Sequence, residues 1–343
     1  MEQNNFISFA DVKASLWQPE VLALLKPSVY NPTPERLKSR AEKYSADKNT
    51  FVYACKIDGV YAGIVVLKTE NDTAEILDIA VKPEYRKHGI GKSLIDFIFT
   101  QFPIDNITAE TDDEAVGFYK RCGFTITSVG EFCDTKRYFC NLSSVSKHYD
   151  LLIDENNDPA RDPEPLREYM DKWDGQQFID SLQLTKEKSV LEIGVGTGRL
   201  AVRVAPECRE FCGIDLSPKT VKRAKENLKE QTNVALICGD FMSYEFGRKF
   251  DVIYSSLTFM HIRDNQAAVN KVRSLLNIGG RFVLSIDKNQ SDTIDYGTRK
   301  IKIYPDNKED IVKYITQSGM NLMKVFETDF AFVFIAEMKQ NNS

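Results

Sequence analysis

Residues 190–200 read VLEIGVGTGRL, a stretch in which an apolar strand passes directly into a glycine-rich turn. Glycine has no Cβ, so Gly194, Gly196 and Gly198 let the backbone approach a ligand closely at the carboxyl end of the strand. The spacing is G-x-G-x-G, whereas a dinucleotide fingerprint has its third glycine where this chain has Arg199. The stretch therefore predicts a ligand site at a strand end, without the arrangement that cradles a pyrophosphate.

Strands and helices alternate regularly around this turn. The predicted strands, with helical patterns between them, are Ser189–Ile193, Phe211–Ile214, Val234–Ile237, Phe250–Tyr254 and Arg281–Ile286. Alternation of this kind is typical of an α/β fold with a doubly wound parallel sheet. We therefore expect the carboxyl ends of these strands to form one ligand-binding edge.

Polar and aromatic residues follow the predicted strands at that edge. Glu192 lies in the first strand, and Asp215 ends the second strand in FCGIDLS. A carboxylate at the end of the second strand can accept hydrogen bonds from both hydroxyls of a ribose. Asp240 and Phe241 follow the third strand, where an adenine would be gripped.

These elements, taken in order, resemble the class I S-adenosylmethionine-dependent methyltransferase family over roughly residues 150–340. The resemblance implies a Rossmann-like domain that binds S-adenosylmethionine, with Glu192 at the amino group and Asp215 at the ribose. The residues that it implies at the cofactor are Glu192, Gly194, Gly196, Gly198, Asp215, Leu216, Asp240, Phe241 and Ser255. The alternative is a Rossmann-like sheet that binds another nucleotide or no ligand.

The methyl acceptor is less well defined. Family members that methylate bases or amides often carry Asn/Asp-Pro-Pro-aromatic after the fourth strand, where residues 254–257 of this chain read YSSL. This departure argues against that group and leaves a small-molecule acceptor as the expectation. In the following LTFMHIRD, His261 is a candidate general base, or else a structural residue that caps the next helix.

The segment 143–165 is rich in Asn, Ser, Asp and Pro, which predicts a linker or an irregular strap. A lid that begins near residue 148 is also compatible with the aromatic residues Tyr149, Tyr169 and Trp173. Two interpretations stand for the carboxylates of this region, selection of a cationic acceptor or solvated linker charge. These carboxylates are Asp154, Glu155, Asp158, Asp162 and Glu164.

The chain before this segment has a different order of elements. A helical start precedes a hairpin that turns at Asp58-Gly59, a third strand, a helix over Ile90–Phe102, and a strand–helix–strand–strand finish. Residues 75–95 read EILDIAVKPEYRKHGIGKSLI, a strand that leads into a basic glycine turn and a helix. Backbone N–H groups at a helix N-terminus bind anions, so this turn suits a pyrophosphate.

The R-x-x-G-x-G turn, together with DDEAVGFYKRCGF at residues 112–124, resembles the GNAT family of N-acetyltransferases over residues 1–142. The resemblance implies a mixed α+β sheet domain that binds acetyl-CoA and acetylates an amine. Ile79 and Val81 would present backbone groups to the pantetheine arm. The pyrophosphate would be held by Arg86, Lys87, His88, Gly89, Ile90, Gly91 and Lys92.

Two residues of this region are candidate catalysts by the same resemblance. Tyr119 lies where the family places a general acid for the leaving thiolate, and Glu75 lies where some members hold the general base. Their alternatives are a core aromatic and a charge on the surface of a strand. Many relatives have Asn where this chain has Asp112.

Length and composition limit the number of domains and the kinds of partner that the chain can have. The chain has 343 residues, which suits two domains, predicted at 1–142 and 166–343 with the linker between them. The net charge of −5 argues against a nucleic-acid partner. Seven cysteines without a C-x-x-C pair suggest thiols in a reducing cytosol and no metal site. No signal peptide and no apolar run of about 20 residues is found, so we expect a cytoplasmic protein without a membrane partner.

The sequence thus predicts a bifunctional transferase, in which one domain acetylates an amine and the other methylates a small molecule. A second interpretation makes the GNAT-like domain a non-catalytic module that binds acetyl-CoA or a substrate and regulates the methyltransferase. A third has a protein as the acceptor.

Overall fold

The computed structural model describes residues 6–132, 134–297 and 299–339. The chain divides into two compact units, of which the first ends at Ser144 and the second begins at Val145. Each unit has its own seven-stranded sheet. Of the seven cysteines, Cys133 lies outside the described residues, and the other six are free thiols. No helix among the described residues has the length and apolar character that crossing a membrane requires.

The first unit is a mixed sheet flanked by four helices. The sheet order is β1-β2-β3-β4-β5-β7-β6, and every neighbouring pair is antiparallel except β4 and β5. The strands are β1 (Ile7–Asp11), β2 (Thr50–Ile57), β3 (Val60–Glu70), β4 (Thr73–Val81), β5 (Asn106–Asp112), β6 (Thr125–Phe132) and β7 (Thr135–Ser143). The helices are α1 (Pro19–Leu22), α2 (Pro34–Ala46), α3 (Ile90–Gln101) and α4 (Val116–Arg121).

Strand β4 carries a bulge that changes which side chains face each core. Ile76 pairs with Leu67 and Asp78 pairs with Val66, so Leu77 is the extra residue. A bulge shifts the alternation of side chains along a strand. Before it, Ile76 packs in the core that contains α3 and α4; after it, Ala80 belongs to the core on the opposite face, with α1 and α2.

The bulge also marks a fork between β4 and β5. These two strands are parallel neighbours only from Thr73 to Ile76. From Ile79 to Val81, β4 pairs with β3 alone among the described strands. Beyond the bulge, the edge of β4 that faces away from β3 is therefore available to another chain or a ligand.

The second unit is a sheet with helices on its faces, in the order β10-β9-β8-β11-β12-β16-β15. Its strands are β8 (Ser189–Ile193), β9 (Glu210–Asp215), β10 (Val234–Cys238), β11 (Phe250–Ser256), β12 (Leu276–Asp287), β15 (Met320–Glu327) and β16 (Ala331–Met338). A separate ribbon pairs β13 (Thr293–Asp295) with β14 (Lys300–Lys302). The helices are α5 (Ser144–Asp154), α6 (Glu164–Met170), α7 (Gly175–Ser181), α8 (Ala201–Val204), α9 (Pro218–Asn227), α10 (Asn265–Leu275) and α11 (Lys308–Gln317).

The five predicted strands of this unit are present and parallel to one another. Strand β8 is buried along its whole length in the interior of the sheet, which explains why it is apolar apart from Ser189 and Glu192. The sheet is not purely parallel, because β16 pairs antiparallel with β12 and β15 pairs antiparallel with β16. These last two strands were not among the predicted ones.

The predicted linker at 143–165 differs from the structure. Its first half is helix α5, and the chain forms a 3-10 turn at Pro159–Arg161 before α6 begins. Helix α5 packs into the second unit, where its Ser146 and His148 side chains are almost inaccessible to solvent. The polar composition of the whole segment 143–165, which includes this helix, concealed it from the sequence interpretation.

Candidate functional site

The glycine turn of the second unit begins where β8 ends. The backbone φ angles of Gly194, Gly196 and Gly198 are 78°, 55° and 94°, a region that other residues rarely adopt. At Gly194 a Cβ would lie 2.0 Å from Oγ1 of Thr258, so no larger residue fits there. The turn is therefore pressed against the loop that follows β11, and its backbone is exposed to any ligand at this edge.

Two carboxylates lie beside the turn, one buried and one partly buried. Glu192 is 3% exposed, and Tyr254 donates a hydrogen bond of 2.8 Å to its Oε2 atom. Burial raises the pKa of Glu192 to about 8, although the Tyr254 hydrogen bond opposes the shift. Asp215 accepts from the N–H groups of Gly196 at 3.0 Å and Ser217 at 2.9 Å, and burial raises its pKa as well.

The remaining predicted cofactor residues of this unit lie in different surroundings. Asp240 accepts a hydrogen bond of 2.9 Å from the N–H of Met242, and Phe241 is buried in the core. The Leu216 carbonyl accepts from the hydroxyl of Ser146 on α5 at 3.0 Å. The Ser255 hydroxyl is buried and donates to the Ile193 carbonyl, so it ties β11 to β8.

Side chains from the segment before β8 close over the turn. Asp150 of α5 accepts from the Ser217 hydroxyl at 2.7 Å and from the N–H of Lys219 at 3.0 Å. Asp174 is fully buried and forms an ion pair with Arg199, the residue that replaces the third glycine of a dinucleotide motif. The same segment anchors Trp173, whose Nε1–H donates to Asp287 at 2.9 Å.

The carboxylates for which selection of a cationic acceptor was one of two interpretations are mostly engaged within the protein. Asp154 pairs with Lys219, Glu155 pairs with Arg299, and Asp158 pairs with Arg223 at 3.0 Å. A carboxylate that is already neutralised by a protein cation attracts a cationic ligand weakly. The pKa of Asp162 is raised by burial and then by the charge of Asp158.

The imidazole of His261 follows β11 in a short 3-10 turn and contacts α5. Its Nε2 atom lies 2.8 Å from the hydroxyl of Tyr149, and its Nδ1 atom is buried without a partner among the described residues. Burial lowers the pKa of His261 to about 4, so the ring is neutral near pH 7. His148, which the sequence interpretation missed, lies on α5 beside Tyr149, with ring centroids 5.1 Å apart.

In the first unit, the basic turn lies at the start of α3. Residues 86–89 are exposed, and Gly89 has a φ angle of 80° before the buried Ile90. At Gly91 a Cβ would lie 2.7 Å from the ring of Phe118, so the glycine allows α4 to pack against α3. The turn thus presents backbone N–H groups and the basic side chains of Arg86 and Lys87 to solvent.

Some basic groups of this turn have partners in the protein. Arg86 donates from Nε to the Val81 carbonyl at 3.1 Å, which joins the turn to the end of β4. Lys92 forms an ion pair of 2.9 Å with Asp96, one turn further along α3. Ile79 and Val81 both lie on the part of β4 that pairs with β3 but not with β5.

Tyr119 lies on α4 in the core beneath the fork and is 5% exposed. Its ring packs against Phe118 and Phe124 at centroid distances of 5.1 Å each. Burial raises its pKa first, and the negative charges that Cys140 and Asp78 can carry raise it further. The phenol therefore stays protonated at neutral pH.

Two carboxylates on β4 differ in position. Glu75 is exposed and lies below the fork, where β4 pairs with Lys68 of β3 and Thr108 of β5. Asp78 is 5% exposed and lies at the bulge, where it accepts from Tyr44 and forms an ion pair of 2.6 Å with Arg40 of α2. The sequence does distinguish Asp78, because it is the single acid within the apolar run ILDIAV.

Asp112 accepts hydrogen bonds from the N–H groups of Glu114 at 3.1 Å and Ala115 at 3.3 Å. These bonds form the turn that precedes α4, which gives the residue a local role in the backbone. Groups of three or more His, Cys, Asp or Glu side chains suited to a metal ion are absent from the described part of the chain.

Comparisons with known proteins agree with the two folds. Residues 18–124 match the family model of the acetyltransferase (GNAT) family, and residues 190–280 match a methyltransferase domain model. Malonyl-[acyl-carrier protein] O-methyltransferase 1 of Ilyobacter polytropus is 32% identical over 108 residues, which cover 31% of this chain and 40% of that protein. An uncharacterized methyltransferase of Bacillus thuringiensis is 37% identical over 113 residues, 32% of this chain and 52% of that protein.

The chain thus spans about half or less of the curated relatives that it matches. Among solved structures, the N-methyltransferase NodS of Bradyrhizobium japonicum is similar at a TM-score of 0.45, with 15% identity, over 58% of this chain and 100% of that chain. By its two family matches, the chain contains a GNAT acetyltransferase domain, matched over residues 18–124, followed by a methyltransferase domain, matched over residues 190–280.

Proposed function

We propose that the second unit transfers a methyl group from S-adenosylmethionine to a small molecule, and that the first transfers an acetyl group from acetyl-CoA to an amine. The observation that carries the methyl-transfer proposal is the glycine turn with the buried Glu192 and the partly buried Asp215 beside it, where a Cβ at Gly196 would meet no atom within 4 Å.

The donor set of the second unit fits S-adenosylmethionine. Each oxygen of Asp215 accepts one backbone N–H and keeps a lone pair, so the two oxygens have room for the two ribose hydroxyls. Glu192 would bind the ammonium of the methionine part as a carboxylate. When bound, the cofactor supplies an electrophilic methyl group, and the protein's task is in-line placement and exclusion of water.

In the first unit, the fork and the basic turn support acetyl-CoA as the ligand. The unpaired edge of β4 would receive the pantetheine arm, and the N-terminus of α3 with Arg86 and Lys87 would hold the pyrophosphate. Tyr119 would donate its proton to the leaving thiolate. Glu75 stays a prediction as the base, and Asp78 is a second carboxylate, three residues further on at the fork.

The proposal is tested by calorimetry on the full chain with each cofactor separately. We expect one site for each, with Asp215→Ala weakening only S-adenosylmethionine and Arg86→Ala only acetyl-CoA. Failure of S-adenosylmethionine to bind would refute the methyl-transfer proposal. Binding of acetyl-CoA without acetyl transfer to any amine of a broad panel would instead make the first unit a binding module, and Tyr119→Phe tests a catalytic role once transfer is seen.

A further inference from the structure

Helix α5 brings an unpartnered imidazole nitrogen close to the turn after β11, which carries the predicted candidate base His261. His148 is 2% exposed, and its Nε2 atom has no hydrogen-bond partner among the described residues. The nearby His261 has a buried Nδ1 atom in the same condition. A buried polar atom without a partner costs free energy, so two of them on rings that both contact Tyr149 point to a bound group.

Hydrogen bonding determines which nitrogen of His148 carries the proton. Arg299 donates from Nε to the Nδ1 atom of His148 at 3.0 Å, and Glu155 holds the Arg299 guanidinium in an ion pair. A guanidinium only donates, so Nδ1 must be the unprotonated nitrogen. Since burial and the Arg299 charge lower the pKa of His148 to about 4, the ring is neutral with its proton on Nε2.

The same reasoning applies to His261. The Tyr149 hydroxyl remains protonated because burial raises its pKa, and His261 Nε2 is its hydrogen-bond partner in the described part of the chain. We assign the phenol as the donor to Nε2, because the opposite direction would leave the phenol hydrogen without an acceptor among the described residues; this assignment places the proton of the neutral ring on Nδ1. This bond also occupies the lone pair that a general base would use.

Both unpartnered nitrogens are therefore N–H donors. They flank Tyr149, whose ring centroid lies 5.1 Å from that of His148 and 5.5 Å from that of His261. His261 comes three residues after Thr258, which covers Gly194 of the cofactor turn. We propose that the Nε2–H of His148 and the Nδ1–H of His261 bind an anionic oxygen, carboxylate or phenolate, of the methyl acceptor.

This inference rests on the proposed methyl transfer and names its acceptor class. Two N–H donors match oxygen lone pairs and offer nothing to an ammonium group. In the transfer, an oxygen lone pair forms the new C–O bond while the methyl–sulfur bond breaks and its electron pair goes to sulfur. An anionic oxygen becomes a neutral ester or ether without losing a proton, so no base is needed.

The test is a titration of the full chain, labelled with ¹⁵N-histidine, by NMR at neutral pH. The chain has three histidines, and the exposed His88 serves as the internal reference. Acetate is the carboxylate probe, phenol the aromatic one, and methylammonium the cationic control. Each is added with and without S-adenosylhomocysteine, whose own binding is measured by calorimetry on the same sample.

We expect His148 protonated at Nε2 and His261 at Nδ1, both N–H signals shifting with acetate or phenol, and neither shifting with methylammonium. His148→Phe keeps the ring but loses the donor, and should weaken acetate binding by at least about tenfold. His148→Gln restores a donor and should recover most of the affinity.

Signals that do not respond to either oxygen probe would mean that only water fills this place, and would overturn the inference. An equal response to methylammonium, or acetate binding in His148→Phe as in the wild type, would also overturn it. Because S-adenosylhomocysteine binding is measured separately, loss of the acceptor site is distinguishable from failure of the proposed methyl transfer. The wild-type titration decides the matter even if a variant does not fold.

Discussion

The two domains each place a glycine turn between a strand and a helix, and they surround it with opposite charges. The turn at residues 86–89 is exposed and carries Arg86 and Lys87. The turn at Gly194–Gly198 lies among buried side chains and is flanked by Glu192 and Asp215. Glycine supplies close backbone approach in both places, so the neighbouring charges decide the ligand: cations suit a pyrophosphate, and carboxylates suit an ammonium and a ribose.

The largest effect that we expect comes from filling the buried turn. Gly194→Ala would put a methyl group 2.0 Å from the Thr258 hydroxyl at a positive φ, and should reduce S-adenosylmethionine affinity by about 100-fold or more. Calorimetry measures the change. Gly247→Ala is the matched control, because it has a φ of 63° and no atom within 4 Å of its Cβ. Unchanged affinity in Gly194→Ala would mean that the turn moves freely.

The second prediction concerns pH. Because burial raises the pKa of Glu192 to about 8, the carboxyl is protonated at neutral pH and must lose its proton to bind an ammonium. S-adenosylmethionine affinity should therefore fall by about tenfold per pH unit below pH 8 and level off near pH 8. Calorimetry between pH 6 and about 8.5 checks this, and Glu192→Gln should bind weakly with no such slope.

The same group affects the free energy of unfolding with the opposite sign. A carboxyl whose pKa is raised in the folded state contributes stability below its ordinary value of 4.5, and this contribution is lost as pH rises through about 8. Without ligand, the unfolding free energy of the wild type should therefore decline between these limits relative to Glu192→Gln. Chemical denaturation at several pH values measures the difference, and parallel curves for the two proteins would contradict the buried, protonated carboxyl.

Adding a side chain at Gly91, next to the exposed basic turn, should have a smaller effect. Gly91→Ala brings a methyl group 2.7 Å from the edge of the Phe118 ring, and a side chain can give way more easily than a closed turn. We expect about tenfold weaker acetyl-CoA binding by calorimetry. The control is Gly59→Ala, at a φ of 85° with no atom within 4 Å, which should leave this affinity unchanged. A stronger effect than that of Gly194→Ala would mean that the basic turn accepts a side chain less well than the buried turn.

The smallest expected difference is in salt dependence. Exposed charges are screened strongly by salt, and buried ones much less. Raising the salt from about 0.05 to 0.5 M should weaken acetyl-CoA binding by several-fold and S-adenosylmethionine binding by less than about twofold. Equal slopes would show that both turns are equally open to solvent.

Local signals in the sequence predicted the elements around both turns well. Helix α3 was predicted at Ile90–Phe102 and ends at Gln101, and β8 has the predicted bounds. These elements have continuous apolar runs or helical periodicity, and glycines mark their ends. The five parallel strands were predicted for the same reason.

The residues that were missed depend on contacts between distant parts of the chain. Asp78 becomes notable only when α2 brings Arg40 and Tyr44 to it, and His148 only when Arg299, 151 residues away, fixes its tautomer. Strands β15 and β16 follow a helix late in the chain, where their pairing with β12 is not visible in local spacing. Spacing along a sequence reports faces of an element, whereas such partners are set by packing.

The bulge in β4 determines where this strand can lose a residue during evolution. Leu77 is an extra residue in the pairing of β4 with β3. Asp78 and the residues after it therefore lie on the face opposite to the one that uninterrupted alternation from Ile76 would give them. Deleting Leu77 would therefore close the bulge and restore regular alternation, while Asp78 would still face Arg40 and Ile79 and Ala80 would stay in their opposite cores. Among relatives that keep the acid, a single-residue gap in this strand is therefore expected at the bulge, where it preserves the faces of the following side chains, and not at the positions after it.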